Sequence, residues 1–525
     1  MKRQSVSPNV YLFAFLMVLP LLLFRDFTPD NELRYLNIAD EALGGGHLFA
    51  FTNQGVPYAD KPPLYLWIVM AGRVLLGGHH MWFLSLASLL PAFGVMAVMD
   101  RWTRGELSPE GRRTTRWLML TSAYFIGSAL VLRMDMLMCL FIVLALRTFY
   151  RWHAGETFTP RRSAWFFPVY CFLALFTKGP VGLLVPLLAP AVWLAFRREW
   201  RWLGRLFGWR TWLVLLALCG LWFGAVYADG GAEYLDNLLF HQTLDRAARS
   251  FHHARPFWYY AVSVWYVAAP WSLLTAGCAV AAVRRGWLRS PLQSFFGAVC
   301  AVTFVMLSSF SSKVDIYLLP ALPFAAALCS IWLDRLPRRC RWAEMVIAVM
   351  PTAPFALTLV AAAVVSRSVP AVEPFCTPLT MVAAALLSLA GLAGLYLIFK
   401  RHDLRGAVRT LSAGLLCALF AASWQIPRLN AYIGYGAVCA EVQRVARGCR
   451  ASEIRTCHIR RAENMSVYLG QPVRQMEPAQ LAEADSVPAV LVVRTKEWRG
   501  DSVLQAVPGL RVISECGPYT VCASR

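Results

Sequence analysis

Residues 28–67, TPDNELRYLNIADEALGGGHLFAFTNQGVPYADKPPLYLW, follow directly on the first apolar segment of the chain. This stretch is dense in charge and contains Asp30, Glu32, Arg34, Asp40, Glu41, Asp60 and Lys61. Charged side chains beside a bilayer are costly unless they pair with one another or hold a polar ligand. A carboxylate pair near its start and Asp-Lys-Pro-Pro near its end therefore predict a site for an anionic, membrane-borne substrate.

The composition around this stretch is that of a polytopic membrane protein. The chain of 525 residues is 58% hydrophobic and 15% charged, and apolar runs recur from residue 9 to about residue 425. Many of these runs approach the ~20 residues needed to span a bilayer. A formal charge of +21 is also found in nucleic-acid-binding proteins, but here the arginines lie in short loops between apolar segments. That placement is the positive-inside pattern, so we expect membrane lipids and no nucleic acid as partners.

The amino terminus (MKRQSVSPNVYLFAFLMVLPLLLF) has a basic start and an apolar core like a signal peptide. No small-residue cleavage pattern follows it, so we interpret it as a retained anchor with its amino end in the cytoplasm. Arginine clusters such as 147–162 and 197–210 then mark further cytoplasmic loops. The sequence predicts thirteen spans in all: 9–24, 82–99, 117–132, 134–150, 164–178, 180–196, 211–228, 257–283, 293–310, 316–333, 343–366, 379–399 and 410–425.

The apolar stretch 64–78 is not counted as a span. It is short and interrupted by Gly72 and Arg73, and counting it would place the arginines of 101–116 outside the cell. We therefore expect a helix lying in the membrane interface. With thirteen spans, the segment 25–81 and the carboxyl tail are both extracytoplasmic, and the chain is expected in a bacterial inner membrane.

The tail, residues 427–525, differs in composition from the transmembrane part, residues 1–426. Its apolar runs are of strand length (489–493, 510–514 and 519–522), and helical patterns lie near 431–447 and 477–484. The tail is predicted to form a small periplasmic α/β domain. Nine of the 14 cysteines lie in or beside apolar segments. If the tail is extracytoplasmic, Cys449–Cys457 and Cys516–Cys522 are candidate disulfides, with free thiols as the alternative.

Polar side chains collect at the predicted outer face. Asp30 or Glu32 could act as a general base toward an acceptor hydroxyl or orient a sugar, the alternative being solvated surface. Lys61 precedes a proline-initiated helix, where a phosphate would meet favourable backbone donors; a lysine paired with Asp60 is the alternative. Asp135, which enters an apolar segment beside Arg133, is expected to face a polar cavity.

Two later outer segments add to this set. Lys313, Asp315 and Tyr317 lie at the mouth of the span 316–333, where the alternative is a simple salt bridge across the turn. The loop 229–256 is rich in cations and histidines, with aromatic residues after it: His241, Asp245, Arg246, Arg249, His252, His253, Arg255, and then Phe257–Tyr260. Such a mixture suits phosphate and sugar contacts, and it also suits anchoring in the aromatic belt.

Taken in order, these motifs resemble the bacterial aminoarabinose transferase family. They are NELRY, YADKPPLYLW, the Met-Asp turn at 134–135, TKGP, HQTLDRA with PFWYY, and SKVDIYLLPALP. Members are undecaprenyl-phosphate-dependent lipid A glycosyltransferases, relatives of protein O-mannosyltransferases in the C-type membrane superfamily. The resemblance covers residues 1 to about 425 and implies a C-type fold and transfer of a sugar, such as 4-amino-4-deoxyarabinose, from a polyprenyl phosphate.

The resemblance also implies roles for individual residues. Its catalytic carboxylates are Asp30, Glu32 and Asp135, and its substrate-binding residues are Arg34, Tyr35, Lys61, Arg246, His253 and Lys313. Asp60, His241 and Tyr317 match positions able to hold a non-catalytic divalent ion, zinc or magnesium, and no organic cofactor is implied. The acceptor oxygen would attack the anomeric carbon in one step with inversion, and the enzyme would be a monomer.

Two alternatives stay open. A protein O-glycosyltransferase of the same superfamily would differ only in using a protein instead of lipid A as acceptor. A transporter or lipid flippase would also contain intramembrane charges, but these should be spread through the bilayer midplane and accompany inverted repeats. In this chain the charges concentrate at one predicted face.

Overall fold

A computed structural model describes residues 9–156, 159–240, 255–286, 290–335, 342–447, 454–483, 489–507 and 509–524. The chain divides into two compact units. The helical unit comprises the described residues of Met1–Leu19, Ala59–Tyr65 and Ser85–Ser423. The mixed unit comprises those of Pro20–Tyr58, Leu66–Leu84 and Trp424–Arg525.

Helices account for most of the described chain up to Ser423. They are α1 (Asn9–Phe24), α2 (Glu32–Gly45), α3 (Pro63–Leu76), α4 (Met81–Trp102), α5 (Pro109–Thr121), α6 (Ala123–Leu130), α7 (Asp135–His153), α8 (Pro160–Lys178), α9 (Pro180–Phe196), α10 (Trp200–Leu206), α11 (Trp209–Asp236), α12 (Tyr259–Val267), α13 (Ser272–Arg284), α14 (Pro291–Ser309), α15 (Leu322–Arg335), α16 (Trp342–Ala356), α17 (Thr358–Ser368), α18 (Pro378–Tyr396) and α19 (Leu404–Ser423). A 3₁₀ helix, Asp315–Ala321, leads into α15.

Many of these helices are long and apolar enough to cross a bilayer. Among the described residues, seven single helices or continuous helical segments meet both conditions, and nine do so if each of two bent pairs counts as one span. All nine coincide with predicted spans. The other four predicted spans fall on α1 and α9, which are shorter, on the broken pair α5–α6, and on α8, which contains Arg161, Arg162 and Lys178.

The predicted single span 257–283 is wrong in shape. The structure breaks it into α12 and α13, which are bent by 112°. The break falls at Ala268–Trp271, and Pro270 within it lacks the N–H that a continuous helix requires. The predicted span 343–366 is also bent, by 49° between α16 and α17, and α16 contains Pro351 and Pro354.

The apolar stretch 64–78 forms α3, a helix of 14 residues. At 1.5 Å per residue such a helix is about 21 Å long, well short of the ~30 Å hydrocarbon core. Within the mixed unit its residues contact the preceding loop along its length. The Trp67 indole donates to the Leu48 carbonyl at 2.7 Å, and Arg73 and His79 pair with Asp40 at 3.1 and 2.9 Å.

An aromatic cluster packs the centre of the helical unit. The Trp102 ring contacts Phe295, Phe296 and Phe324, with ring centroids 4.9–6.1 Å apart. All four side chains are buried. Edge-to-face aromatic packing of this kind holds α4, α14 and α15 against one another and gives the unit a rigid frame.

The mixed unit joins the first loop to the tail. It contains the hairpin β1 (Thr52–Asn53) and β2 (Val56–Pro57), and then the tail elements α20 (Ile426–Ile433), α21 (Gly436–Ala446), β3 (Ile454–Cys457), α22 (Ser466–Leu469), β4 (Arg474–Gln475), α23 (Pro478–Glu483), β5 (Val490–Arg494), α24 (Thr495–Gly500), α25 (Ser502–Gln505), β6 (Leu510–Cys516) and β7 (Tyr519–Ser524). The three runs predicted as strands form β5, β6 and β7, whereas the short β3 and β4 were not predicted.

These tail strands form a five-stranded mixed sheet in the order β4-β3-β5-β7-β6. β3 pairs in parallel with β4 and β5, and β7 pairs antiparallel with β5 and β6. One face is covered by a core containing Cys457, Leu491, Val493, Leu504 and Cys522. The alternation of Leu491 and Val493 toward this core follows from the two-residue period of a strand.

Of the two alternatives left open for Cys516 and Cys522, the structure has the free thiols. Cys516 is paired with Tyr519 and Cys522 with Val512 in the register of β6 and β7, so the two cysteines are not opposite each other. Cys457 is also free and buried, and its proposed partner Cys449 lies outside the described residues.

Candidate active site

Glu32 is the most completely enclosed carboxylate of the mixed unit, with 0% of its side chain exposed. The Arg25 guanidinium donates to both of its oxygens, at 2.6 and 2.7 Å. The backbone N–H and the hydroxyl of Thr28 donate to the same carboxylate at 2.7 and 2.9 Å. A bidentate arginine and two further donors fix Glu32 at the start of α2, where a negative charge also favours the helix dipole.

Asp30 has different surroundings from its neighbour. Its side chain is 45% exposed and pairs with Arg460 at 3.2 Å. Arg34, on the first turn of α2, donates to Asn31 at 3.0 Å. The Arg34 guanidinium lies 5.6 and 5.7 Å from the ring centroids of Tyr35 and Tyr58. Tyr35 itself is buried, so it packs beneath Arg34 in the core of the unit.

Asp26, which was not singled out in the sequence, ties the loop to the tail within the mixed unit. Its carboxylate accepts from the backbone N–H of Gly436 at 2.7 Å and from the Tyr468 hydroxyl. The backbone N–H of Asp26 donates to Asn430 at 3.0 Å. Burial and the adjacent Asp26 charge raise the pKa of Tyr468 well above its usual range, so this phenol stays protonated as the donor.

The helical unit contains a second charged cluster around Asp135. Asp135 is the first residue of α7 and is 1% exposed on its side chain. One oxygen accepts from the ammonium of Lys178, the last residue of α8. The other accepts from the Arg133 guanidinium at 2.9 Å. Lys178 also lies 4.5 Å from the ring centroid of Tyr317. Asp135, Arg133, Lys178 and Tyr317 are therefore brought together.

The 3₁₀ helix that contains Tyr317 begins with Asp315, which has its own set of donors. Ser263 and Tyr266 donate to one carboxylate oxygen at 2.7 and 2.6 Å, and Tyr124 donates to the other at 3.3 Å. These donors come from α6 and α12. Several hydroxyls around one carboxylate form a polar wall that resembles a sugar-binding surface in chemistry.

Lys313 is buried, and its ammonium donates to the backbone carbonyls of Arg255, at 3.1 Å, and Phe310. No carboxylate among the described residues forms an ion pair with it within 4 Å. Two further predicted site residues of the helical unit, Asp60 and Lys61, are partly exposed in the turn before α3. Arg246, His253 and His241 lie outside the described residues.

Of the predicted metal ligands, Asp60 and Tyr317 are described and His241 is not, so the ion site stays a prediction. Within the described part of the chain, no group of three or more histidine, cysteine, aspartate or glutamate side chains is placed to hold a metal ion. Tyr317 faces the Lys178 ammonium, and a second cation beside it would be repelled. No step of the proposed mechanism passes through such an ion.

Lys178 and Asp26 are the main residues that sequence reasoning missed. Lys178 belongs to the TKGP motif, and it was assigned only to a turn between two spans. A lysine at the end of an apolar segment is itself a signal, since an intramembrane cation needs a partner. Asp26 follows the anchor helix directly, and the same argument applies to it.

No family model matches the chain. A solved structure, that of ArnT from Cupriavidus metallidurans bound to undecaprenyl phosphate, superposes with a TM-score of 0.78 over 99% of this chain and 98% of that one, at 18% identity. The chain has the fold of ArnT. The apo state of the same protein gives a TM-score of 0.76.

Curated relatives point in the same direction. The chain is 26% identical over 332 residues to an undecaprenyl phosphate-alpha-4-amino-4-deoxy-L-arabinose arabinosyl transferase of Shewanella sediminis, covering 60% of this chain and 57% of the relative. A protein of the same name from Pseudomonas paraeruginosa is 25% identical over 344 residues, covering 64% and 61%. The matched region thus spans about 60% of the length of these ArnT-type relatives. The resemblance inferred from the sequence motifs is confirmed.

Proposed function

We propose that the chain is a membrane glycosyltransferase that moves a sugar from undecaprenyl phosphate to lipid A. The sugar named in the curated relatives, 4-amino-4-deoxyarabinose, is our candidate donor group. The shared fold, the activity for which the relatives are named and the charged clusters at the sequence motifs support this function. An inner-membrane location and a monomeric enzyme are parts of the same proposal.

The observation that carries this proposal is the buried cluster at Asp135. Two cations, Lys178 and Arg133, share one carboxylate, so these three groups carry a net charge of +1. Two cations gathered around one carboxylate, Lys178 buried and Arg133 30% exposed, suit a ligand that brings negative charge. The phosphate of a lipid carrier is such a ligand, and Lys61, Arg246, His253 and Lys313 are proposed to complete its surroundings.

In this scheme Asp135 is a positioning residue. Both of its oxygens already accept from cations, so its role is to hold Lys178 and Arg133 in place. Negative charge develops on the phosphate as its bond to the sugar breaks. The two cations stabilise this charge and so lower the activation barrier of the transfer. The acceptor oxygen then attacks the anomeric carbon from the opposite side, and the configuration inverts.

The base, where one is needed, is proposed to be Asp30. Its carboxylate is partly exposed, whereas Glu32 is enclosed by Arg25 and Thr28. A phosphate acceptor would already be nucleophilic and need little help; a hydroxyl acceptor would transfer its proton to Asp30. A divalent ion at Asp60, His241 and Tyr317 stays a separate proposal outside this scheme.

We also propose thirteen spans with the tail in the periplasm. The first loop and the tail form one compact unit, so the chain between them must cross the membrane an even number of times. Nine candidate spans, counting bent pairs, lie in that interval. Adding α5–α6, α8 and α9 gives twelve crossings, and α1 makes thirteen. The predicted 427–525 domain then packs with residues of the first loop.

The experiment is transfer of labelled aminoarabinose from undecaprenyl phosphate in membranes containing the full chain. We expect label in lipid A, and Asp135→Asn should lower the rate at least about 100-fold, as loss of transition-state electrostatics does. Asp100→Asn is the matched control, because Asp100 is also buried in the helical unit and lies beside two arginines, Arg112 and Arg116. It should transfer near the wild-type rate.

Each alternative outcome has a defined meaning. Label in protein instead of lipid A would identify a protein glycosyltransferase. No transfer by the wild-type chain, or full activity of Asp135→Asn with an unchanged elution profile, would overturn the proposal. Equal losses in both variants would show that any buried carboxylate of this unit is needed for folding.

A further inference from the structure

A cavity of about 430 Å³ lies in the helical unit at the far end of α8 from Lys178. Its walls come from the end of α7, the start of α8, α10 and the start of α11, and include Trp152, Arg161, Gly204, Arg205, Trp209 and Arg210. Arg161 and Lys178 are separated by 17 residues of one helix, which corresponds to about 26 Å along its axis. The cavity and the Asp135 cluster are therefore separated by nearly the ~30 Å thickness of a bilayer core.

The charge of this cavity is entirely positive. Arg161, Arg205 and Arg210 line it together with no carboxylate. Among the described residues none of the three forms an ion pair, and the buried Nε of Arg210 has no hydrogen-bond acceptor. Arg205 and Arg210 lie over the rings of Trp202 and Trp209, at 4.7 and 5.1 Å from the centroids. The Arg205 and Arg210 guanidinium groups thus lie over aromatic rings, and none of the three arginines has a carboxylate partner within the described part of the chain.

The amino termini of two helices add to the positive electrostatic potential of the cavity. Pro160 starts α8 and Gly208 precedes α11, and no side chain caps either helix. Helix amino termini favour anions through their exposed N–H groups and the helix dipole. Acidic residues usually occupy a first turn, yet α8 begins with Arg161 and Arg162. The amino termini of α8 and α11 and the three arginines therefore all favour an anion bound in the cavity.

The surface beside the cavity is apolar. Large side chains of α8 and α11 are exposed next to it: Trp165, Phe166, Trp212, Leu213 and Leu216. Trp165 contacts Trp209 at the cavity wall, with ring centroids 5.7 Å apart. A soluble anion would gain nothing from this surface, whereas acyl chains would cover it.

We infer that this cavity binds the headgroup of an anionic phospholipid, with the acyl chains lying on the exposed faces of α8 and α11. The phosphate diester meets Arg161, Arg205 and Arg210, and the tryptophans occupy the interface around it. The site is independent of the proposed transfer reaction, because its residues lie at the other end of the helices. It holds a structural or modulating lipid in the headgroup layer marked by the arginine clusters.

The test is native mass spectrometry of the purified full chain in detergent, titrated with phosphatidylglycerol or with phosphatidylcholine of the same chains. We expect selective retention of phosphatidylglycerol. The variant Arg161→Gln/Arg205→Gln/Arg210→Gln should retain it about tenfold less, since each arginine contributes to binding of an anionic lipid. The control Arg284→Gln/Lys400→Gln/Arg401→Gln removes the same charge from exposed positions outside the cavity and should retain it like the wild type.

A second variant keeps every charge. A Cβ at Gly204 meets open space, so Gly204→Leu fills the cavity without a backbone clash and should also reduce retention. If the arginine variant fails to fold, Gly204→Leu decides the matter. Equal losses in the control variant, unchanged retention in Gly204→Leu, or saturation by inorganic phosphate without competition from lipid would each overturn the proposal.

Discussion

Asp30 and Glu32 are two positions apart, yet their surroundings assign them different tasks. Asp30→Asn should lower transfer to a hydroxyl acceptor at least about 100-fold, the range of general-base catalysis, with unchanged thermal unfolding. Glu32→Gln should instead lower the free energy of unfolding by about 3 kcal/mol, because it leaves the nearly buried Arg25 charge without its partner. Activity assays and thermal unfolding in detergent measure the two effects separately.

These two variants control for each other, because each removes one negative charge from the same loop. Transfer at the wild-type rate by folded Asp30→Asn would remove the base from the mechanism. A Glu32→Gln protein as stable as the wild type would contradict the structural role of the Arg25–Glu32 pair. The sequence predicted both carboxylates but could not separate them, since burial depends on Thr28 and Arg25 closing around one side chain.

The cysteines of the sheet give a second prediction at this scale. Burial raises the pKa of the Cys457 thiol to about 11 and that of Cys522 to about 12. At pH 8 both groups are therefore protonated, and only the thiolate reacts with maleimide. We expect labelling of the exposed Cys376 but not of Cys457 or Cys522 in the folded protein, measured by mass spectrometry of peptides.

Denaturation without reductant supplies the control for this labelling. Cys516 and Cys522 should then both react, because neither is oxidised. If Cys516 and Cys522 reacted with maleimide only after a reductant was added, they would form the disulfide that the sequence left open. The register of β6 and β7 decided the question, and register depends on pairing that the spacing of two cysteines does not show.

At the scale of structural elements, the turn after α20 requires Gly434 to pack closely against Asp26. A Cβ at Gly434 would come within 2.5 Å of the Phe27 carbonyl oxygen and would overlap the Asp26 carboxylate. Gly434→Ala should therefore destabilise the mixed unit by about 1–3 kcal/mol, the usual cost of overpacking. Faster tryptic cleavage of the tail would report this loss.

Gly500→Ala is the matched control, because a Cβ at Gly500 has no neighbour within 4 Å. Equal cleavage rates in both variants would contradict the proposed role of the Asp26 contact. The helices themselves were largely predictable, because the sequence shows directly how long each apolar run is and where the prolines lie. The Asp26–Tyr468 contact joins residues 442 positions apart, and one sequence holds no signal that pairs them.

For the whole molecule, the composition of the mixed unit constrains the topology. Residues 20–58 and 424–525 pack in one compact unit, so both must lie on the same side of the membrane. We expect alkaline phosphatase fused after residue 54, in the exposed turn between β1 and β2, and after residue 525 to be active. Fusions after residue 105 and after residue 286 should be inactive, because arginine-rich loops stay in the cytoplasm.

Whether the number of crossings before a fusion point is odd or even decides on which side of the membrane the fusion lies. α12 and α13 are bent by 112°. If this pair turned back without crossing, the number of crossings between the first loop and the tail would stay even only if the assignment of another helix also changed. A fusion after residue 286 distinguishes the two cases, since its activity reverses when the pair does not cross. Activity there, with the two outer fusions active, would mean that the pair does not cross and that an even number of the segments after residue 286 cross, instead of the five proposed. A cytoplasmic tail beside a periplasmic first loop would separate Asp26 from Tyr468 and would contradict the mixed unit itself.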